Sequence, residues 1–352
     1  MKILSTFYGF LGLCLSAPVV VTKTTSGGIP VHEPLASLSW FKHYHAYQAH
    51  VEYLHSLSKT YHSLSRTVIA GKSFERRPIE GVHVFGRSGP GINPAVVFFG
   101  TIHAREWITT MVTEYIAYNL LRHYSTDRDV KQTIDSFDFY IFPIVNPDGL
   151  VYSQTKNRMW RKNRQRQNGT TCVGRDLNRN WNIHWDKKEG AATGPCRSTY
   201  RGSKPLDAPE TRALADELQA IKERQGLRLF IDWHAFGQLV MYPYGYSCDK
   251  KLPPYSSVSW LAGELAEAIG QPHGTRYRAG TACELLYPTS GDSADYAFEN
   301  LGADYAYTVE LRPGMRVRGP AGFRLPEGQI MATAEEAWVG VRRVLRFIRY
   351  PN

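Results

Sequence analysis

Two periods of apolar residues alternate along this chain. Unbroken apolar runs at residues 95–99, 137–143, 227–233 and 305–311, each bounded by Gly, Pro or charge, predict strands buried on both faces. Between them, apolar positions at helical spacing predict helices over 107–124, 258–269 and 332–349. Another helix is expected to open at Asp207, with Glu210 three positions on completing a capping box. A further helix-like segment covers 40–60, with His43, His45, His50, His55 and His62 read as decoration of it and its exit. Strands alternating with helices predict an α/β sandwich. Residues 146–205, rich in Asn, Arg, Gly and Trp, show little period, and long irregular stretches in compact domains are usually functional.

Composition bounds this picture. At 352 residues with 43% apolar content the chain can bury one large core or two modest ones, and a single enzyme-sized domain fits. Residues 1–17, with Lys2, an apolar run from Ile3 to Leu15 and the small pair Ser16-Ala17, have the pattern of a secretory signal peptide, so the expected location is extracellular. That run is too short for a membrane span of roughly 20 residues, and no later stretch approaches one. Residues 18–37, which contain Thr, Ser, Gly and Pro without clear period, read as a flexible lead-in. The net charge of +10 is dispersed apart from 158–166 and lacks a folded binding motif, so neither nucleic acid nor membrane is an expected partner. Of five cysteines, Cys14 lies in the signal, leaving Cys172, Cys196, Cys248 and Cys283, an even number suited to two disulfides with three pairings open. Asn168-Gly169-Thr170 is a glycosylation sequon, usable on the secretory route.

His103 and Glu106 follow one apolar run directly and precede a helix, where an HxxE spacing turns an imidazole and a carboxylate to one side. His234 ends another such run. Ligands in α/β sheets gather at the carboxyl ends of strands, and a catalytic zinc takes three protein ligands of this kind while keeping one position open. HxxE alone is weak evidence, and each histidine could instead be structural, but His103 and His234 differ from the others in standing at strand ends beside acidic, Arg or Asn groups.

The motifs His103-Ala104-Arg105-Glu106-Trp107-Ile108, Asn146-Pro147-Asp148-Gly149, 157–162, 174–181 and Thr308-Val309-Glu310-Leu311-Arg312 stand in the order seen in zinc metallocarboxypeptidases of the pancreatic carboxypeptidase A/B type. The resemblance covers about residues 40–350. It implies a single domain with a central mixed eight-stranded sheet flanked by helices on both faces, spanning 38–352. It also implies one zinc held by His103, Glu106 and His234, with Asp176 orienting the first histidine. Glu310 would be the general base acting on a zinc-activated water, and Arg161 would stabilise the oxyanion. Asn178 and Arg179 would bind the substrate's terminal carboxylate, Tyr287 would close over it, and Arg105 would contact the substrate further upstream. The same resemblance implies the pairings Cys172 with Cys196 and Cys248 with Cys283.

The implied activity is hydrolysis of the last peptide bond of peptides and proteins by a monomeric, secreted enzyme. Ala294 stands where B-type members carry the aspartate that selects Lys or Arg, which points to broad or A-like specificity. Asp292, two positions earlier, either faces a basic substrate side chain, so that Lys and Arg are tolerated, or is a solvated loop residue. The resemblance implies an inhibitory prodomain of about a hundred residues, whereas roughly 20 residues separate Ala17 from the first helix, so either the protein is made without one or this sequence lacks that segment. The rival reading is a non-catalytic binding protein that keeps the fold, which should lack the base or a carboxylate-binding residue.

Overall fold

The computed structural model describes residues 37–254 and 256–349. The expected signal peptide and, apart from Ser37, the lead-in lie outside the described residues. A 3-10 turn, Leu38–Lys42, precedes α1 (Tyr47–Thr60), β1 (Ser65–Lys72), β2 (Pro78–Val84), β3 (Ala95–Gly100), α2 (Ile108–His123), α3 (Arg128–Ile134), β4 (Asp138–Phe142) and α4 (Pro147–Thr155). The second half carries α5 (Pro209–Gln225), β5 (Leu227–Ala235), β6 (Leu239–Tyr242), α6 (Ser257–Gly270), β7 (Arg278–Thr281), α7 (Ala282–Leu285), α8 (Ser293–Asp295), β8 (Tyr305–Leu311) and α9 (Ile330–Arg349).

The eight strands form one sheet in the order β1-β2-β4-β3-β5-β8-β6-β7. Its centre is parallel, with β4, β3, β5 and β8 running together, while β1, β2 and β6 pair antiparallel with neighbours. This is the mixed eight-stranded sheet that the resemblance implied.

Strand periodicity divides the core in two. In β3, Val96 and Phe98 enter one apolar cluster while Ala95, Val97 and Phe99 enter the other. The first cluster is completed by α1, α2, α6 and α9, and the second by α5, so helices cover both faces. Completely buried side chains such as Phe98 and Phe99 contribute roughly 1.5–3 kcal/mol each. Their replacement by Ala would leave cavities on opposite sides of one strand.

Four expectations need correction. The segment 40–60 is not one helix: the chain leaves Leu38–Lys42 in extended backbone at His43 before α1 begins. His50 is no surface decoration; it is buried, with Nδ1 2.8 Å from Glu114 Oε1, and the same carboxylate accepts Trp40 Nε1–H. Asp207 and Glu210 form no capping box, because α5 starts at Pro209 behind Ala208 without a side-chain cap. Asp207 instead accepts hydrogen bonds from Ser203 and Asn180, and buried Glu210 accepts from Phe74 N–H and Asn163 Nδ2. Residues 146–205 contain a helix, α4, whose N-cap Asn146 accepts from Gly149 N–H, with Pro147 in the first turn.

Candidate active site

The parallel centre of the sheet aligns the carboxyl ends of β3, β5 and β8. Gly100 lies opposite Trp233, and His234 opposite Glu310. The loop after β3 is pinned by Thr101, at φ 54°, whose backbone N–H donates to Thr109 Oγ1 at 2.8 Å; Ala104 N–H donates to Arg161 O at 3.0 Å. The loop therefore turns His103 and Glu106 back over the strand ends.

His103 Nδ1 lies 3.0 Å from Glu106 Oε1 and 3.1 Å from His234 Nδ1, while His234 Nδ1 lies 3.2 Å from Glu106 Oε2. All three side chains are buried, and they form a group able to hold a metal ion. Ligands about 2.0–2.1 Å from a tetrahedral zinc stand about 3.3 Å apart, so these separations suit such an ion with little adjustment. Two imidazoles and a carboxylate are also the donor set of a hydrolytic zinc site.

Each histidine presents Nδ1 to this point because its Nε2 faces a carboxylate. His103 Nε2 lies 3.1 Å from Asp176 Oδ1, and His234 Nε2 lies 3.1 Å from Asp232 Oδ2. Burial lowers the pKa of His103, and the Arg161 charge lowers it further, favouring the neutral ring that a metal needs. Burial would lower His234 too, but Asp232 and Glu106 outweigh it and hold that ring well above the usual range. Burial opposes ionisation of Asp176, yet Arg161 and His103 keep it well below the usual carboxylate range. Arg161 donates to Asp176 Oδ2 from Nε at 3.0 Å and lies 2.9 Å from it through Nη2. This pair sets the guanidinium beside the cluster, 4.0 Å from Glu106.

Glu310 sits half-buried at the end of β8, and its Oε2 has no hydrogen-bond partner. Burial first, and then the nearby Glu106 charge, push its carboxyl up to about 8. A carboxylate so placed is a proton acceptor waiting for a partner.

Glu310 shares one pocket with His103, His234, Arg161, Asn178 and Arg179. Asn178 and Arg179 are carried by a single 3-10 turn, Leu177–Arg179, whose N-cap Asp176 accepts Asn178 N–H. Arg179 is anchored by donation from Nε to Gly190 O at 2.7 Å and from Nη1 to Asn178 O at 2.6 Å, leaving further N–H groups for a ligand. Asn178 Oδ1 accepts from Ser293 N–H at 2.8 Å, so its amide N–H groups are the ones left to donate, with Nδ2 3.4 Å from His234 Nε2.

The far wall comes from the segment between α7 and α8. Tyr287 is 49% exposed at the pocket mouth, within 5.9 Å of the Arg179 guanidinium. Asp292 and Ala294 both line the pocket. Asp292 is not a solvated loop residue: it is buried, caps α8 through Asp295 N–H and accepts Thr289 Oγ1–H at 2.8 Å. Gly291 permits this path; its φ is 67°, and a Cβ there would come within 2.7 Å of Arg179 O.

Arg105 stands apart from this pocket, in an adjoining cleft that shares Arg161, with its guanidinium 3.8 Å above the Phe323 ring. Arg158, part of the basic run, is not free in solvent: it donates to Arg105 O and stacks 3.8 Å over Trp107. The disulfides are Cys172–Cys196 and Cys248–Cys283, the pairings the resemblance implied. Asn168 is exposed in a turn. Sequence reasoning missed Asp232, although an acid two residues before a strand-end histidine must share its face of the strand.

The match to known proteins follows this geometry. The zinc carboxypeptidase family profile matches residues 50–340. A Metallocarboxypeptidase A of Trichophyton tonsurans is 42% identical over 338 residues, covering 96% of this chain and 78% of that protein. Carboxypeptidase A4 of Mus musculus is 38% identical over 306 residues, covering 87% of this chain and 70% of that protein. Among solved structures, thrombin activatable fibrinolysis inhibitor superposes with a TM-score of 0.83 at 31% identity, covering 92% of this chain and 78% of that one. The carboxypeptidase A of Helicoverpa armigera gives 0.78 at 28% identity, covering 88% and 74%.

Proposed function

This chain belongs to the zinc carboxypeptidase family and is a metallocarboxypeptidase, and on that footing we propose that it removes single residues from the C-termini of peptides and proteins, using Glu310 as the general base. The observation that carries this reading is a group of three metal-type ligands, of which His103 and His234 line one pocket together with an unpartnered carboxylate and an anchored arginine. His103 and His234 through Nδ1, and Glu106 through its carboxylate, would hold one zinc ion. When bound, zinc supplies a Lewis acid that polarises the scissile carbonyl and acidifies water.

The remaining work falls to side chains. Glu310 accepts a proton from the attacking water and returns it to the leaving amine. Arg161, locked on Asp176, offers its positive charge to the carbonyl oxygen as negative charge develops there. Arg179, supported by Asn178, grips the terminal carboxylate, which selects chain ends over internal bonds. Tyr287 covers the bound residue, and Arg105 contacts the substrate upstream along the adjoining cleft.

Met241, Ala282 and Leu286 give the pocket apolar walls, and Asp292 lies among them. Broad, A-like specificity with Lys and Arg tolerated is the reading this mixture supports. Secretion after loss of residues 1–17, a catalytic domain spanning 38–352, glycosylation at exposed Asn168 and a monomeric state complete the proposal. Among the described residues, no helix is long and apolar enough to cross a membrane.

The direct test compares a blocked dipeptide carrying a free C-terminal carboxylate with its C-terminal amide. Cleavage of the acid alone, with that preference lost in Arg179→Ala, is the expected result. Equal cleavage of acid and amide would refute the assignment of Arg179.

A further inference from the structure

The second metal-facing histidine has a support that the reaction scheme above does not use. Asp232 is completely buried two residues before His234 on β5, with Trp233 between them pointing into the opposite core. Period two therefore sets the Asp232 carboxylate and the His234 ring side by side, Oδ2 to Nε2 at 3.1 Å. The same Oδ2 accepts the Ser293 hydroxyl at 2.6 Å, and Ser293 N–H donates to Asn178 Oδ1 at 2.8 Å. Asp232 Oδ1 has no hydrogen-bond partner. A buried carboxylate with one oxygen unmatched is expensive to keep, and no arginine or lysine pairs with it among the described residues, whereas Asp176 has Arg161.

We propose that Asp232 is a positioning residue that holds His234 with Nδ1 free for the metal and, through Ser293, braces the Asn178 amide that meets the substrate's terminal carboxylate. The inference rests on the metal site read above. The chemistry is that of a carboxylate fixing the tautomer and ring orientation of a ligating imidazole. An Nε2–H donated to Asp232 requires that the lone pair sit on Nδ1, the atom that faces His103 Nδ1 and Glu106. The Ser293 bridge adds what a lone second carboxylate would not. Its hydroxyl and backbone N–H tie β5 to the 3-10 turn carrying Asn178, so metal ligand and substrate clamp share one brace.

The test measures zinc affinity directly on the metal-stripped full chain, by competition with a chromophoric chelator, for wild type, Asp232→Asn, Ser293→Ala and, as a reference, Asp176→Asn. Asp232→Asn should weaken zinc binding about 10–100-fold, comparably to Asp176→Asn, and should shift the visible spectrum of the cobalt-loaded protein. Ser293→Ala should weaken zinc by a smaller factor. At saturating zinc it should also raise KM for a blocked dipeptide more than it lowers kcat, because the clamp and not the proton transfer is loosened. Zinc affinity within about twofold of wild type in Asp232→Asn, with an unshifted cobalt spectrum, would overturn the proposal. If Asp232→Asn does not fold, Ser293→Ala decides: unchanged zinc affinity together with unchanged KM overturns it. A wild type that itself binds no zinc would instead sink the metal-site reading.

Discussion

Replacing Glu310 by Gln should cut turnover sharply while making the metal-stripped protein more stable. The side chain is half-buried, its Oε2 lacks a partner, and burial with the Glu106 charge raises its carboxyl from the usual 4.5 to about 8. The sign follows from linkage: with the folded-state value above the unfolded one, the fold carries no penalty below about pH 4. It loses stability as pH rises through that interval and levels off above about pH 8. At pH 7 the interval above 4.5 is 2.5 pH units, which at about 1.36 kcal/mol each sets a ceiling of about 3 kcal/mol. Because the residue is only half-buried, solvent screening reduces the expected gain to about 1–2 kcal/mol. Urea denaturation of chelator-treated wild type and Glu310→Gln, across about pH 4 to 9, reads the difference as a gap opening with pH. Zinc should narrow it, since a nearby cation favours the ionised form. The same variant, zinc-loaded, should lose roughly 10²–10⁴ in kcat as expected for a general base. A Gln variant no more stable than wild type at neutral pH, or equally advantaged at pH 4 and 9, would refute the account of Glu310 as an isolated buried base.

Other consequences follow from different parts of the molecule. Arg179→Ala should cost about 3 kcal/mol of substrate binding, or roughly 10² in kcat/KM on free-acid dipeptides, while zinc content stays at one per chain. A panel of blocked dipeptides ending in Phe, Leu, Arg, Lys and Glu should be cleaved fastest at Phe and Leu and slowest at Glu, since Asp292 and Asp295 line the pocket; an unchanged Arg rate in Asp292→Ala would remove Asp292 from specificity. Opening Cys248–Cys283, which closes a separation of 35 residues, by a double Ser substitution should lower stability by about 3–4 kcal/mol in denaturant. At the α3–α9 contact, Asp129 accepts from Arg346 at 2.8 Å and Arg349 at 2.9 Å, and these arginines overcome partial burial to hold its carboxyl below the usual 3.8. Its stabilisation is full above 3.8 and is lost as pH falls through the lowered value, so Asp129→Asn should cost about 1 kcal/mol near neutrality and nothing measurable near pH 2.

The central strands were legible because burial on both faces leaves continuous apolar runs, as in β3 and β5. The outer strands were not: β1 is partly exposed, carries Gly71 and slips register near it, and β6 and β7 have only four residues each. His50 looked like a surface histidine because its partner, Glu114, lies 64 positions away. The metal ligands could be nominated from strand ends alone, yet Asn178 and Arg179 carry no local signal beyond a polar turn, and only the resemblance marked them. Asp292 shows the limit most clearly. Its neighbours suggested a solvated turn or a pocket acid with equal force, and the choice depended on Thr289 and on the packing of a segment held by Gly291. Ser293 acts through groups on two other elements, Asp232 on β5 and Asn178 on the 3-10 turn, which no linear spacing encodes.

The central claim is that three side chains hold one zinc ion on which peptide-end hydrolysis depends. Its most direct measurement strips the purified protein with a chelator and follows cleavage of a blocked Phe-terminated dipeptide as zinc is returned in known increments. The account predicts negligible activity in the stripped protein and a linear recovery that breaks at one zinc per chain, with no recovery in His234→Ala. Full activity after complete metal removal, or recovery in His234→Ala equal to wild type, would contradict it.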